Sequence, residues 1–225
     1  MNSLDDPKLK AVLDRLHAAA RGDLKFFLTH IPLMARMLLG REAPPPAEQS
    51  RQLKDVYIPI SREQGRFLYL VARSLGAKRI VEFGTSFGVS TLYAAAAARD
   101  EGGQVIGSEL EPGKQRAATA HLAEAGLASF AEVRLGDARE TLRDVPGPID
   151  LVLLDGWKEL YLPMLQLLAP KLRPGAVVLG DNIKTFRRAL APYVSYVQSG
   201  RNGFASVTLP LADGFEYSVR LASRP

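Results

Sequence analysis

Cysteine is absent from the 225 residues, and histidine occurs only three times. The lack of cysteine excludes disulfide bonds, thiolate zinc sites and cysteine nucleophiles. The three histidines, His17, His30 and His121, all precede the fourth predicted strand, which disfavours a histidine-based zinc or iron site near the later strands. A metal site in that region would therefore depend on oxygen ligands.

The sequence has no long uninterrupted hydrophobic run, and its first residues do not predict a secretory leader. The first residues are polar and acidic, without the basic-then-apolar layout of a signal peptide. The most apolar early stretch, residues 24–39, is interrupted by Lys25, His30, Pro32 and Arg36 and is short for a bilayer span. These features predict a cytoplasmic protein without a membrane span.

The charged residues of either sign are spread along the chain and do not cluster. Lysine and arginine number 29 against 24 aspartates and glutamates, which gives a net charge of +5 and a pI near 9.5. A basic pI keeps nucleic acid open as a partner. There is no basic block with interleaved aromatic residues, so a solvated surface is the favoured interpretation and nucleic acid is disfavoured.

From about residue 61 onward, strand patterns alternate with helix patterns. The predicted strands are 79–83, 104–110, 131–135, 149–154, 176–179, 204–209 and 215–221. Alternation of this kind argues for a parallel, doubly wound sheet. The last two strands, with a turn at Asp213-Gly214, add an antiparallel edge. The predicted fold is therefore α/β, with a mostly parallel seven-stranded sheet.

Helical patterns and a proline run precede this alternation. Residues 7–20 have helical apolar spacing, residues 24–39 are expected to be helical, and Pro44-Pro45-Pro46 forms a stiff break. We therefore divide the chain into an N-terminal helical extension, residues 1–55, and a main domain, residues 56–225. The extension is a candidate for a cap over an active site or a homodimer contact, and packing on the domain is an equal alternative.

Acidic side chains stand at the ends of five successive strands. Ligands of open α/β sheets bind beyond the carboxyl ends of the strands. A purely structural domain has little reason to place five acids there. The candidates are Glu82, Glu109, Asp137, Asp155 and Asp181, with Gly84 and Asn182 beside them.

The first of these strand ends leads into a glycine loop that lacks the dinucleotide pattern Gly-x-Gly-x-x-Gly. Its glycines, Gly84 and Gly88, allow a ligand to approach the backbone closely. Glu82 suits a cationic amino group better than a phosphate, and S-adenosylmethionine carries such a group and no phosphate. Taken alone, the loop is equally consistent with a plain strand-to-helix turn.

The next two strand ends offer further contacts for such a cofactor. Glu109 can accept two hydrogen bonds from ribose hydroxyls. The nearby Glu111 precedes Pro112 and is expected at a helix start. Asp137 either meets an adenine ring or caps the helix that follows it.

The strongest pattern is Asp155 combined with Asp181 and Asn182. Two carboxylates and an amide at neighbouring strand ends provide three hard oxygen ligands, which suit Mg²⁺. Each residue alone is explained by a turn or a cap, but the three together favour a metal site. Trp157 either walls this site or belongs to the core.

The sequence resembles catechol O-methyltransferase and its bacterial relatives from about residue 60 to the C-terminus. The resemblance is carried by Val81-Glu-Phe-Gly-Thr-Ser-Phe-Gly-Val-Ser90, Leu154-Asp-Gly-Trp-Lys-Glu-Leu-Tyr-Leu-Pro163, Gly180-Asp-Asn182 and Asp213-Gly-Phe-Glu216. It implies a Rossmann-like methyltransferase fold that uses S-adenosylmethionine and a divalent cation. It also implies methyl transfer to a hydroxyl of a small catechol-like or vicinal-diol aromatic compound.

The resemblance assigns roles to individual residues. It implies that Lys158 removes the substrate hydroxyl proton and that Glu216 holds the second hydroxyl, beside Trp157. The implied metal ligands are Asp155, Asp181 and Asn182, and the implied cofactor contacts are Glu82, Gly84, Ser90 and Glu109. We add Asp137 and Asp155 as candidate cofactor contacts because of their positions at strand ends. There are two departures: Gly156 stands where the mammalian enzyme has a histidine that contacts the cofactor, and Asp137 stands where that enzyme lacks an acid.

Three alternatives differ from this prediction in the substrate or in the chemistry. The same reaction on a hydroxylated tRNA base is compatible with the basic pI. A nicotinamide-dependent oxidoreductase shares the fold class, but the missing Gly-x-Gly-x-x-Gly pattern argues against it. A non-enzymatic scaffold would need none of the metal, base and cofactor candidates.

Overall fold

A seven-stranded sheet with the strand order β3-β2-β1-β4-β5-β7-β6 forms the centre of the molecule. This computed structural model describes residues 2–29 and 45–222. Strands β1 to β5 are parallel, whereas β7 runs antiparallel to both β5 and β6. The predicted mostly parallel sheet with an antiparallel C-terminal strand is confirmed. The strands are β1 (Arg79–Phe83), β2 (Gln104–Glu109), β3 (Ala131–Leu135), β4 (Ile149–Leu154), β5 (Leu172–Gly180), β6 (Phe204–Leu209) and β7 (Phe215–Arg220).

Helices cover both faces of this sheet. Because successive side chains of a strand point to opposite faces, Leu151 and Leu153 of β4 join one hydrophobic cluster and Val152 and Leu154 join the other. The helices are α1 (Pro7–Ala19), α2 (Asp23–Thr29), α3 (Pro46–Gln52), α4 (Arg62–Ser74), α5 (Val89–Glu101), α6 (Pro112–Glu124), α7 (Ala138–Thr141), α8 (Tyr161–Leu168) and α9 (Arg187–Gln198). Helices α1, α4, α5 and α6 pack on the first face, and α7, α8 and α9 pack on the second.

The region between β4 and β5 differs from the sequence prediction. We expected a helix over residues 159–172, but α8 ends at Leu168 and a 3-10 turn, Ala169–Lys171, follows it. Pro170 within this turn lacks the N–H group that would continue the α-helical hydrogen bonds. The strand was expected to begin at Ala176, but β5 begins at Leu172 and contains Pro174-Gly175. The pairing register of β4 and β5 shifts beside this dipeptide, as expected for an irregularity at proline and glycine.

The N-terminal helices are joined to the main domain by buried contacts. Four apolar side chains of α1 belong to the hydrophobic cluster on the first face of the sheet: Leu9, Val12, Leu13 and Leu16. In α2 the carboxylate of Asp23 accepts hydrogen bonds from the backbone N–H groups of Tyr57 and Ile58. Residues 30–39 of the predicted second helix, and Pro44, lie outside the described residues. No helix among the described residues has both the length and the apolar character needed to cross a bilayer.

Candidate active site

A cavity of about 670 Å³ opens at the carboxyl ends of the parallel strands. Residues that follow β1 to β5 form its floor and walls, and α3 contributes a further wall from the N-terminal region. This position follows from the topology, because the carboxyl ends of parallel strands meet at one edge of the sheet. The predicted site residues that line the cavity are Gly84, Glu109, Asp137, Asp155, Trp157, Lys158 and Asn182.

The glycine loop after β1 and the loop after β4 touch at Gly84 and Gly156. Gly84 has a φ of +95°, and a Cβ built on it would lie 2.6 Å from the Cα of Gly156. A Cβ on Gly156 would in turn overlap the ring of Phe83. A side chain at position 156 would therefore require the Phe83 ring to move.

Glu82 lies buried behind the glycine loop, with 1% of its surface exposed. Its Oε2 accepts hydrogen bonds from the hydroxyls of Thr85 at 2.9 Å and Thr91 at 2.5 Å. Its Oε1 is buried and has no partner among the described residues. Burial raises the pKa of this carboxyl group. A buried acceptor without a donor fits the cationic amino group expected there.

Ser90 lies in the first turn of α5 and is buried. It lines a narrow recess together with Gly84 and Asp155. The structure therefore brings these three predicted cofactor contacts together beside the main cavity.

Glu109 ends β2 on the wall of the cavity. Its two carboxylate oxygens accept hydrogen bonds from the backbone N–H groups of Ser86 at 2.7 Å and Glu111 at 2.9 Å. Glu111 caps α6 by accepting from the N–H of Lys114, which confirms its predicted place at a helix start. Glu111 thus caps the helix, whereas Glu109 lines the cavity.

Asp137 caps a helix and also lies on the wall of the cavity. It lines the cavity, and its carboxylate caps α7 by accepting from the N–H of Arg139 at 2.9 Å. The same carboxylate pairs with the Arg139 guanidinium at 2.6 Å, and this hydrogen bond holds the pKa of Asp137 below its usual value.

The predicted metal ligands meet where β4 and β5 end. Asp155 follows β4, Asp181 and Asn182 follow β5, and the N–H of Asp181 donates to the carbonyl of Leu154 at 3.0 Å. Burial and then the charge of Asp181 raise the pKa of Asp155 well above its usual value, and burial also raises that of Asp181. Asp181 is buried and the Asp155 side chain is 13% exposed, and two carboxylates this shielded from water in one another's field favour a nearby cation.

Lys158 places a positive charge beside these carboxylates. Its Nζ lies 3.7 Å from Asp155 Oδ1 and donates to Asn182 Oδ1 at 2.6 Å. Within the described segments, no group of three or more histidine, cysteine, aspartate and glutamate residues is placed to hold a metal. An ion here would therefore need the Asn182 amide oxygen as its third protein ligand. The buried, mutually repelling carboxylates and their oxygen-only chemistry fit a hard divalent cation.

Two residues that sequence reasoning did not single out hold this cluster in place. The amide of Gln64 in α4 donates to Asp181 Oδ1 at 2.6 Å. The Tyr161 hydroxyl donates to the carbonyl oxygen of Asp181 at 3.2 Å and accepts from Lys158 Nζ at 3.0 Å. The Ser61-x-x-Gln64 pattern signals a helix cap, but nothing in it points to a residue far along the chain.

The structure does not bring Glu216 to the cavity. This residue of β7 is fully buried and pairs with Gly180 of β5. Its carboxylate accepts from Gln198 Nε2 at 2.8 Å and from the hydroxyls of Ser206 and Thr208, each at 2.5 Å. Both of its oxygens are committed to these internal partners, so the expected contact with a substrate hydroxyl is not formed here. In contrast, Trp157 is half-buried and does line the cavity.

The segment that joins the N-terminal helices to α4 forms a wall that sequence reasoning missed. Tyr57 lines the cavity and stacks on Phe87 of the glycine loop, with ring centroids 4.1 Å apart. Buried Lys114 donates to the carbonyl of Val56 at 2.8 Å and to the Ser86 hydroxyl at 3.2 Å. Burial lowers the pKa of this lysine. No local sequence pattern reports these contacts, because their partners come from separate elements.

Known proteins share both this sequence and this fold. A model of a methyltransferase domain matches residues 81–183. The catechol O-methyltransferase of Mycobacterium tuberculosis is 38% identical over 127 residues, which are 56% of this chain and 57% of that protein. A Mycobacteroides abscessus protein named as an O-methyltransferase is 30% identical over 178 residues, which are 72% of this chain and 81% of that protein.

A solved structure gives the same result. The O-methyltransferase TomG from Streptomyces achromogenes, in complex with SAM, aligns with a TM-score of 0.68 at 27% identity, over 78% of this chain and 88% of that one. The match with the M. abscessus protein over most of its length shows that this chain belongs to the class I O-methyltransferase family. The predicted family resemblance is confirmed, although the chain spans little more than half the length of the M. tuberculosis enzyme.

Proposed function

We propose that this protein transfers a methyl group from S-adenosylmethionine to a hydroxyl of a small catechol-like or vicinal-diol aromatic compound, with a divalent cation and Lys158 as the base. The observation that carries this proposal is the placement of Lys158 against Asn182 and Asp155 on the wall of the same cavity that holds Glu109. Candidates for the base, for two of the three metal ligands and for several cofactor contacts thus line one cavity.

The cofactor would be held along the ends of β1, β2 and β3. The unpartnered Oε1 of Glu82 is suited to the amino group, and Gly84 and Ser90 leave room beside it. Glu109 is suited to the ribose and Asp137 to the adenine side of the cavity. The bound cofactor supplies the sulfonium methyl group.

The cation would be held by Asp155, Asp181 and Asn182, and oxygen ligands of this kind favour Mg²⁺. A bound cation favours the ionised form of a substrate hydroxyl next to it. Asp155 and Asn182 line the cavity, and Asp181 is buried beside them, so this effect would act at the cavity wall.

Lys158 accepts the hydroxyl proton in this scheme. Its Nζ is held by Tyr161 and Asn182, and it lies 5.5 Å from the centre of the Phe186 ring. Trp157 and Phe186 both line the cavity and limit the access of water. Holding the lysine amine and the acceptor oxygen in a reactive geometry supplies a large part of the rate enhancement.

The N-terminal region acts as a cap in this proposal. Pro46, Gln49, Ser50 and Leu53 line the cavity opposite the strand ends, and Gln49 and Ser50 are themselves buried. A cavity of about 670 Å³ with such a wall suits a small acceptor, since small-molecule sites usually have this size. The tRNA alternative gains no support from this geometry.

Catechol turnover with and without EDTA tests the scheme, in wild type and in Lys158→Met. We expect EDTA to abolish turnover until Mg²⁺ is restored, and Lys158→Met to lower kcat by about 10²–10⁴-fold through loss of the base. Lys10→Met is the matched control, because Lys10 is exposed and far from the cavity. Calorimetry with S-adenosylhomocysteine should show that Lys158→Met still binds cofactor. Turnover that survives both treatments at the wild-type rate would refute the metal and lysine roles.

A further inference from the structure

The side chain of Gln64 connects the start of α4 to Asp181 by using both ends of its amide group. Its Oε1 accepts from the backbone N–H of Ser61 at 3.0 Å, and its Nε2 donates to Asp181 Oδ1 at 2.6 Å. Gln64 and Asp181 are each 2% exposed, so water does not compete strongly for these bonds. The contact joins residues that are 117 positions apart in the sequence.

The Ser61 bond fixes which end of the amide faces Asp181. Rotating the amide by half a turn would bring its NH₂ group against the Ser61 N–H and its oxygen against a carboxylate. Both contacts would then be repulsive, so the helix cap selects the orientation that donates to Asp181. Hydrogen bonds from a neutral donor to a buried carboxylate are short and strong, as the 2.6 Å distance indicates.

Asp181 needs such a partner because the terminal torsion of an aspartate is broad and roughly two-fold. The Tyr161 hydroxyl contacts only the backbone carbonyl of Asp181, and the carboxylate is contacted locally by the backbone N–H of the next residue, Asn182. Gln64 donates to the carboxylate itself, and it belongs to α4, whereas Tyr161 belongs to α8.

We propose that Gln64 is a positioning residue for the divalent-cation site, which it prepares by fixing the carboxylate of Asp181. This inference rests on the proposed function, in which Asp181 is a metal ligand. Partners of metal ligands in other sites typically change metal affinity by about 10–100-fold when they are removed. Gln64 has the geometry of such a partner, and its own orientation is set by the cap of a helix.

If Gln64 had only a structural role, its replacement would act on the metal site through helix stability alone. A variant that weakens the helix cap separates this possibility from the positioning role. The Ser61 hydroxyl accepts from the N–H of Gln64 at 3.1 Å, which is the second half of the capping box. Ser61→Ala removes this bond and weakens the cap, but it retains the Ser61 N–H and the contact between Gln64 and Asp181. It is therefore the matched control for a loss of helix stability.

The experiment measures Mn²⁺ binding by calorimetry in the presence of S-adenosylhomocysteine, and thermal unfolding without metal. We expect Gln64→Met, which keeps the length but loses the donor, to weaken Mn²⁺ binding by about 10–100-fold. We expect Ser61→Ala to bind Mn²⁺ like the wild type, although both variants lower Tm. Gln64→Asn has a side chain too short for its amide to reach both partners, so it should weaken Mn²⁺ binding as Gln64→Met does. It replaces Gln64→Met in the experiment if that variant does not fold.

Wild-type Mn²⁺ affinity in both Gln64 variants would overturn the positioning role and leave the proposed function intact. Equal weakening in Ser61→Ala would overturn it as well, because helix stability alone would then explain the loss. A wild-type protein that takes up no Mn²⁺ would overturn the metal site and this inference together.

Discussion

The ring of Phe83 packs directly against the backbone of Gly156. A Cβ built on residue 156 would lie 2.6 Å from the Cε1 atom of that ring, well inside van der Waals contact. Phe83 ends β1 and Gly156 follows the end of β4, so this contact sets how closely the cofactor loop and the metal-ligand loop approach each other.

Gly156→Ala should therefore lower the free energy of unfolding by about 1–3 kcal/mol, because a methyl group has no space beside the ring. Denaturant unfolding monitored by circular dichroism measures the change. Phe83→Leu in the same chain should recover part of the loss. Gly22→Ala is the control, since no atom lies within 4 Å of a Cβ built there. A neutral Gly156→Ala variant would show that the two loops can separate without cost.

Replacement of Glu216 should affect stability and spare the binding of the methyl acceptor. Glu216→Ala removes the acceptor shared by Gln198, Ser206 and Thr208. Ser206 and Gln198 keep other partners, so the Thr208 hydroxyl loses most, and we expect a cost of about 1–3 kcal/mol for the lost hydrogen bonds to this buried carboxyl group. Denaturant unfolding and the KM for a catechol give the two readouts. A raised KM with unchanged stability would instead support the substrate contact that the family resemblance implies.

His17 should make the protein less stable in mild acid. Burial, followed by the charge of Arg62, lowers the pKa of His17 from its usual value, while Asp14 acts in the opposite direction. Between the lowered folded-state pKa and the unfolded value of about 6.5, the unfolded chain binds more protons. The free energy of unfolding therefore falls as the pH drops through about 6.5 and levels off below the folded-state pKa.

His17→Gln removes this proton linkage. Urea unfolding at about pH 8 and about pH 5 should show a smaller loss of stability on acidification than in the wild type. The Nε2 atom of His17 is buried without a partner in the described part of the chain, which is consistent with the neutral form being favoured. An identical acid-induced loss in both proteins would remove His17 as a contributor.

The sequence was informative where a role depends on local order along the chain. Strand ends follow from apolar runs that stop at a charged residue, so the positions of Glu109, Asp155 and Asp181 could be predicted, as could the cap formed by Glu111. The topology then brings the strand ends to one edge, which explains why most of the candidate residues line one cavity.

Other features depend on side-chain direction and on distant partners, which local patterns do not encode. Glu216 lies within a correctly predicted strand, but its side chain is directed at hydroxyl groups of β6 instead of the cavity. Gln64 shows a recognisable capping pattern, but its second bond crosses 117 residues. The wall built from α3 and Tyr57 likewise requires knowledge of how the N-terminal region folds back.

The packing of α1 limits how far this protein can be shortened. The shared methyltransferase model covers residues 81–183, but Leu9 and Leu16 are completely buried in the same apolar cluster as Ile80 and Leu151 of the sheet. A fragment excised at the edges of the model would expose that apolar face to water and lose α4, and Gln64 with it. We therefore expect a fragment limited to residues 81–183 to be less stable than the chain that includes α1 and α4.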